Sequence, residues 1–446
     1  MSTAVSVSPV KQALLLKLEQ VSQQLKELVL ALPDGLEQLE EAEQQVRSGV
    51  LEIGRGLLQA WSEAAPLRVM QPVCEHCEEP MRHKGYVRGP LVTTLGDIRI
   101  RRPRFRCEHC HREHYPHDEQ LRFRGHGVSW RLAQVVGRLG AQLPFEQARQ
   151  NLLADYGVRL SKQRVELVCE EAGQQLLAGE DARREHLSGL PPAEQPAALP
   201  DSAFHPEKAY VFGDGTMLHT EGDWHEIRVA SVAATDAEDR PLTVQHRARF
   251  LSCDEFGWQL LLLAREAGYH RARLKAFLAD GARWLWELAA LHFPDAIQIL
   301  DWYHLKEHVH TAAAALFGEG TDAAEDWSAA RETELWEGRW RDTLAALEEC
   351  RKQLRSPGKR EELRKFRQYL LHNQQRIDYP RYRALGLRIG SGQVEGACKS
   401  LVGGRCKQAG MRNWSRKGAE GVLRLRAALQ TGDYDALWTH HLKTAA

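Results

Sequence analysis

Leu14, Leu18, Val21, Leu25, Leu28 and Leu32 recur at spacings of 4, 3, 4, 3 and 4 among Glu, Gln and Lys, the seam of an a/d heptad pattern. After Pro33-Asp34-Gly35 a second helical pattern carries Leu36, Leu39, Val46, Val50, Ile53 and Leu57. Residues 1–66 therefore read as helical, either as a hairpin packed on itself or as a coiled coil joining two copies. From residue 67 to 120 leucines thin out and Arg, His and Cys take over. Residues 121–186 are helical again: a helix from about Pro144 to Tyr156, a turn at Gly157, and a second helix capped by Ser161. That order fits a helix-turn-helix, and equally two ordinary packed helices.

Pro191, Pro192, Pro196, Pro200 and Pro206 mark residues 187–207 as a linker. Beyond it, AYVFGDGTML, EIRVASVAAT and LTVQHRARFL read as three strands in an antiparallel meander. A helix near Gly257–Gly268, the strand LKAFLAD, the helix ARWLWELAALH and the strand AIQILD follow, ending at Asp301. Three strands, then helix, strand, helix, strand is the element order of an RNase H-like core. Residues 305–388 read as helices inserted before the core's final helix, so the core comprises 208–304 and 389–430. The expected class is multidomain α/β.

The chain has 446 residues, 43% hydrophobic and 27% charged, the balance of an ordinary globular protein. It contains no apolar run of about 18 residues, which argues against a membrane span, and its start lacks the pattern of a secretory signal. A cytoplasmic location is the expectation. Sixty basic and sixty acidic residues cancel, but not evenly along the chain. Residues 82–106 hold eight Lys or Arg against one acid (Asp97), and residues 396–426 hold eight against one (Glu420). Two basic segments suggest two contacts with a polyanion, the bland alternative being solvated faces.

Cys74-x-x-Cys77 and Cys107-x-x-Cys110 add chemistry to the region 67–120. Paired knuckles brought together by a hairpin complete a tetrahedral four-sulfur shell for a structural Zn²⁺, a zinc ribbon. LVTTL and DIRIRR supply the hairpin, with its turn expected at Gly96-Asp97. His76, His109 and His111 are alternative ligands that four sulfurs make unnecessary. Arg99, Arg101, Arg102, Arg104 and Arg106 are then candidates to lie along DNA phosphates.

Asp214 in VFGDGT and Asp280 in FLADGARW each end an apolar strand and precede glycine. Adjacent strands would set the two carboxylates close together, which is costly unless a divalent cation lies between them. Such a pair suits two-metal phosphoryl transfer, although a lone Asp-Gly is more often a turn. Glu395 falls in the first turn of a helix after Gly390 and Gly392, with Lys399 one turn on and Arg405 and Lys407 beyond. Its bland role is to favour the helix dipole.

VFGDGT, LADGARWLW, DWYH and GSGQVEGACKSLVGGRCKQAGMRNW resemble the DDE transposases of bacterial insertion sequences, of the ISKra type, related to the Mutator-like superfamily. The resemblance runs from the zinc ribbon to about Leu429. It implies an RNase H-like catalytic core with a helical insertion, for which the 114 residues between Asp280 and Glu395 leave room. It makes Asp214, Asp280 and Glu395 the three metal-holding acids, with Mg²⁺ or Mn²⁺ as the two-metal cofactor, and it sets His304 of Asp301-Trp-Tyr-His304 close to the scissile phosphate. Lys399, Arg405, Lys407 and Arg412 join the nucleic-acid contacts. The expected partners are double-stranded DNA, as terminal inverted repeats and as target, and a second copy or more of the chain. An RNase H-like nuclease without strand transfer and a domesticated zinc-containing DNA-binding protein are the rival readings.

Overall fold

In the computed structural model, which describes residues 8–65, 70–123, 126–411 and 413–444, the leucine seam folds as α1 (Pro9–Ala31) and α2 (Leu39–Ala64). The Ser8 hydroxyl caps α1 by accepting from the Lys11 amide at 3.4 Å. The two helices pack on each other as a hairpin, the first of the two expected forms. Leu16, Leu30 and Leu36 nevertheless stay exposed.

β1 (Arg82–Thr93), β2 (Gly96–Arg106) and the short β3 (Glu113–His114) form one antiparallel sheet. Thr93 pairs with Gly96, so the hairpin turns at Thr94-Leu95, two residues before the expected turn. The Thr93 hydroxyl fixes that tighter turn by accepting from the Leu95 amide at 3.1 Å and donating to the Gly96 carbonyl at 2.8 Å. α3 (His117–Leu121), α4 (Trp130–Gly140) and α5 (Phe145–Tyr156) follow. Gly157 then adopts φ +65°, the left-handed stop, and Ser161 opens α6 (Lys162–Gly189) by accepting from the Arg164 amide at 3.2 Å.

The chain forms two compact units, residues 1–172 with 433–446, and residues 173–432. The division falls inside α6, not in the proline-rich segment, which contributes the short α7 (Gln195–Ala198). The reason is that the second half of α6 carries buried charges belonging to the second unit. Glu180 is enclosed by Arg247 at 3.0 Å and Arg424 at 2.7 Å. These guanidiniums overcome the burial that would otherwise favour the neutral acid, and hold its carboxyl down at about 2.

The second unit is built on β4 (Lys208–Thr220), β5 (Asp223–Thr235), β6 (Pro241–Arg249), β7 (Leu274–Ala279) and β8 (Ile297–Leu300), in the order β6-β5-β4-β7-β8. β4, β5 and β6 are antiparallel neighbours, whereas β7 runs parallel to β4 and β8 parallel to β7. α8 (Cys253–Glu266), started by a Ser252–Glu255 capping box, and α9 (Arg283–His292) connect the parallel strands. α10 (Trp302–Phe317), α11 (Asp322–Trp336), α12 (Trp340–Gln353), α13 (Pro357–Asn373) and α14 (Tyr379–Ala384) make up a helical segment. The chain returns to the sheet through α15 (Gly392–Ala397), a π-helical stretch at Cys398–Lys407, and α16 (Arg416–Thr431). A Cβ at Gly173 would lie 1.8 Å from the Gly421 carbonyl oxygen, so α6 and α16 cross at backbone contact. α17 (Tyr434–Thr444) belongs to the first unit, where the Tyr434 hydroxyl donates to the Gln134 carbonyl at 2.6 Å. No helix among the described residues is long and apolar enough to cross a membrane.

Candidate active site and metal centre

Cys74 and Cys107 begin two matching knuckles. In each, the first cysteine's carbonyl accepts from the amide four residues on, Glu78 at 2.8 Å and His111 at 3.0 Å. Those two residues take the left-handed conformation, at φ 56° and 61°. The matched turns bring Cys74, Cys77, Cys107 and Cys110 together with all four sulfurs within 4.8 Å of one another. Zn–S bonds of about 2.3 Å in a tetrahedron set sulfurs just under 4 Å apart, so the quartet suits a structural metal such as zinc. Amides of His76 and Cys77 lower the Cys74 thiol to about 7, while burial beside the other thiols raises Cys77 to about 12. His76, His109 and His111 stand outside the group.

The arginines of β2 divide. Arg99, Arg101 and Arg106 are exposed. Arg101 lies 3.8 Å over the Tyr86 ring. Arg102, expected on phosphate, is instead mostly buried and bonds Asp118 at 2.5 Å. Arg104 sits 3.7 Å from Glu113. Strand alternation explains the split, because Arg102 and Arg104 share the face of the buried Ile98 and Ile100, whereas Arg99 and Arg101 lie on the opposite face.

In the second unit, the pairing of β4 with β7 runs to Phe212–Leu278, so two residues further along, Asp214 and Asp280 stand level. Asp214 does not end its strand as the sequence suggests. β4 continues to Thr220 along β5, and it is β7 that stops at Ala279. Gly213 faces the α8–α9 side, where a Cβ would lie 2.6 Å from Leu285. Its neighbour Asp214 therefore faces the other side, toward α15. Gly281 turns the chain after Asp280 at φ +105°, a conformation that favours glycine. The Tyr369 hydroxyl donates to the Asp280 carbonyl at 2.6 Å, and the Ala282 amide to its carboxylate at 2.9 Å.

Glu395 is exposed on α15, its carboxylate 3.5 Å from the Ser391 hydroxyl. Burial raises the Asp214 carboxyl, and the charges of Asp280 and Glu395 raise it further, against hydrogen bonds from the Gly215 amide at 2.7 Å and the Cys398 thiol at 3.4 Å. The three acids therefore share one electrostatic neighbourhood. They do not close to the 4.8 Å spacing of the cysteines. Hard oxygen ligands gathered around Asp214, whose ionisation burial and then its neighbours disfavour, are a donor set that a divalent cation fits.

Asp301 is the residue whose role was least visible in sequence. It is fully buried. One carboxylate oxygen accepts from the amides of Tyr303 at 2.6 Å and His304 at 3.2 Å, starting α10. The other accepts from the Ser391 amide at 2.7 Å and the Ser391 hydroxyl. It thus fastens the base of α10 to the start of the Glu395 helix, across 90 residues with no local signal. His304 is half exposed, with Nδ1 3.3 Å from Glu307 and its ring edge-on to His308. Burial lowers His308, with the Asp280 charge acting the other way.

Of the second basic segment, Lys399 is exposed, and Lys407 donates to the Thr216 hydroxyl at 2.7 Å, two residues from Asp214. Arg405 differs from the expectation: it is buried, its guanidinium 4.8 Å over Trp414. The π-helical winding is responsible, since its wider turn shifts residues beyond Cys398 off the α-helical face on which Arg405 was placed. Arg412 lies outside the described residues. Cys398 and Tyr369 are further site neighbours; Cys398 had a sequence signal in standing three residues after Glu395. No family model matches the chain, and no curated protein matches it either.

Proposed function

We propose that the chain is a DNA transposase of the DDE type, in which Asp214, Asp280 and Glu395 hold the divalent cations for DNA strand cleavage and strand transfer. One observation carries the reading: parallel register sets Asp214 level with Asp280, and the Asp214 carboxyl, raised by burial, is raised further by the charges of both Asp280 and Glu395. The sheet order, three antiparallel strands followed by two parallel ones with helical connections, supports an RNase H-like core. The helices between β8 and α15 support the inserted segment that the motifs imply.

When bound, Mg²⁺ or Mn²⁺ would neutralise the acids and stabilise the oxygens entering and leaving the phosphodiester. The chain's own residues prepare that site. Asp301 and Ser391 hold the helix of Glu395 in place. Gly215 and Cys398 orient the Asp214 carboxylate. Lys399 and Lys407 offer cations to the DNA backbone. Water attack on a phosphodiester at the element end leaves a 3′ hydroxyl, and attack of that hydroxyl on target DNA joins the strands. In the first unit, the cysteine quartet holds structural Zn²⁺ and stiffens a ribbon whose exposed Arg99, Arg101 and Arg106 contact phosphate.

The test is cutting and joining of duplexes that carry the inverted repeats flanking the gene, with Mg²⁺ or Mn²⁺. Asp214→Asn, Asp280→Asn and Glu395→Gln should each lower both steps by about a thousandfold or more, as groups acting as a unit do, while duplex affinity stays near that of the parent. Cutting without joining would leave only a nuclease. Unchanged cutting by Asp214→Asn would remove the enzyme reading.

A further inference from the structure

α1 buries none of its 23 residues, and α2 buries only Ala60 of its 26. Surface helices gain their stability by burying an apolar stripe, and these two keep most of theirs in water. The leucine seam is divided between two directions. Leu28 turns inward, its side chain 2.8 Å from where a Cβ on Gly49 would stand. Leu18 and Leu25 of the same seam stay 52% and 44% exposed.

The exposed positions form two regular rows. On α1, Leu15, Leu18, Ser22, Leu25 and Val29 follow at steps of 3, 4, 3 and 4. On α2, Val46, Val50, Ile53, Leu57 and Trp61 follow at steps of 4, 3, 4 and 4, and Leu39 extends the row by one heptad. Both rows belong to one face of the hairpin, because Leu15, Leu18, Leu57 and Trp61 line a single groove of ≈ 610 Å³. Ser22 is the one polar member of the two rows, and no member is charged.

Heptad spacing on both helices is a surface for other helices of the same repeat, received as knobs into holes. Charge argues against the polyanions. Residues 9–64 hold five Lys or Arg against nine Asp or Glu, so the hairpin repels DNA phosphates and an anionic bilayer alike. A second copy of the chain offers the same uncharged face with the same period and length. At ~1.5 Å per residue, Leu39 to Trp61 runs about 33 Å, and two helices ~10 Å apart present a face roughly 20 Å wide. Two such faces bury about 1,300 Å² together, above the ~1,000 Å² that a specific interface needs. We propose that two copies of the chain join by laying these faces together, closing their hairpins into a four-helix bundle. The pairing does not depend on the chemistry proposed for Asp214, Asp280 and Glu395.

Sedimentation equilibrium of the full chain with zinc and without DNA, over a hundredfold range of concentration, tests this. The mass should approach twice 50.6 kDa at the upper end and fall toward 50.6 kDa on dilution. Leu25→Glu and Val50→Glu each bury an unpaired carboxylate in the face, and each should raise the midpoint concentration at least about thirtyfold. Leu16→Glu is the control. Leu16 is exposed on the far side of α1, nine residues from Leu25, and its variant should dimerise within about twofold of the parent. Circular dichroism and zinc content should match the parent in all three, since each changed side chain is exposed. If a variant loses helicity, hydrogen exchange on the parent decides instead, and amides of residues 9–64 should be better protected at high concentration than at low. A parent that stays monomeric over the whole range would overturn the pairing. So would a dimer that Leu25→Glu and Val50→Glu both retain, or one whose added protection lies outside residues 9–64. A dimer that forms only when DNA is added would also overturn it, since the duplex and not the hairpin would then join the copies.

Discussion

The cysteine quartet and the acidic trio are both sets of metal-type ligands, yet only the cysteines stand assembled. Four sulfurs gather within 4.8 Å, whereas the three carboxylates do not. Thiols are neutral when protonated and can share a pocket at little electrostatic cost. Carboxylates at neutral pH repel, and at Asp214 that repulsion adds to the burial that raises its carboxyl. Neutral thiols can therefore gather tightly, whereas the carboxylates stand further apart. Glu180 completes the comparison. It is a buried carboxylate in the same unit as Asp214, but surrounded by arginines, and its carboxyl moves the opposite way.

The largest expected effect tests the assembled site. Cys107→Ser should lower zinc content from about one per chain to near zero and unfold the ribbon, because structural zinc is worth on the order of 10 kcal/mol to a small module. Metal analysis with limited proteolysis around residues 70–115 reads this, and full zinc occupancy would refute the assignment. For the open site, any two substitutions among Asp214, Asp280 and Glu395 should lower cutting no further than one does, whereas additive losses would show that the acids act separately.

Next in size is the arginine-enclosed acid. Glu180→Leu should cost about 3–5 kcal/mol in chemical denaturation, since it leaves Arg247 and Arg424 buried with a partner removed. Because the folded carboxyl lies at about 2 against an ordinary 4.5, Glu180 supports the fold fully above 4.5 and loses that support as pH falls toward 2. Asp214 has the opposite sign. Its raised carboxyl binds a proton more readily in the fold, so acidification relieves the strain there. The smallest effect follows: without divalent cations, Asp214→Asn should stabilise the chain by roughly 1 kcal/mol. Added Mg²⁺ should raise the parent's melting temperature and leave the variant's unchanged. A lower melting temperature in the metal-free variant would mean that Asp214 is a structural residue.

What could be read from the chain followed the range of each signal. The cysteine knuckles, the Gly157 stop, the strands and the helices after Asp301 rest on local chemistry, and local chemistry is legible. The level placement of Asp214 and Asp280 needed only the register of two adjacent strands. The rest depended on distant partners. Arg102 and Arg104 read as free cations until Asp118 and Glu113 were brought beside them. Arg405 read as helix surface because neither π-helical winding nor the ring of Trp414 has a signature in its neighbours. The division between the units falls inside α6 and not at the expected linker because Glu180 answers to arginines more than sixty residues away.

Asp301 has a last consequence, for how such a chain can change in length. Its bonds to Ser391 close the excursion that contains α10 to α14 into a loop pinned at its neck. The entropy of closing a long loop grows only with the logarithm of its length, about 0.6 kcal/mol for each doubling. Helices can therefore be added to or trimmed from that excursion at small thermodynamic penalty, provided the neck survives. Glu395 would keep its place through such resizing, and Asp301→Asn, which turns an amide N–H₂ toward the Ser391 donors, should unfasten it while every helix of the excursion remains intact.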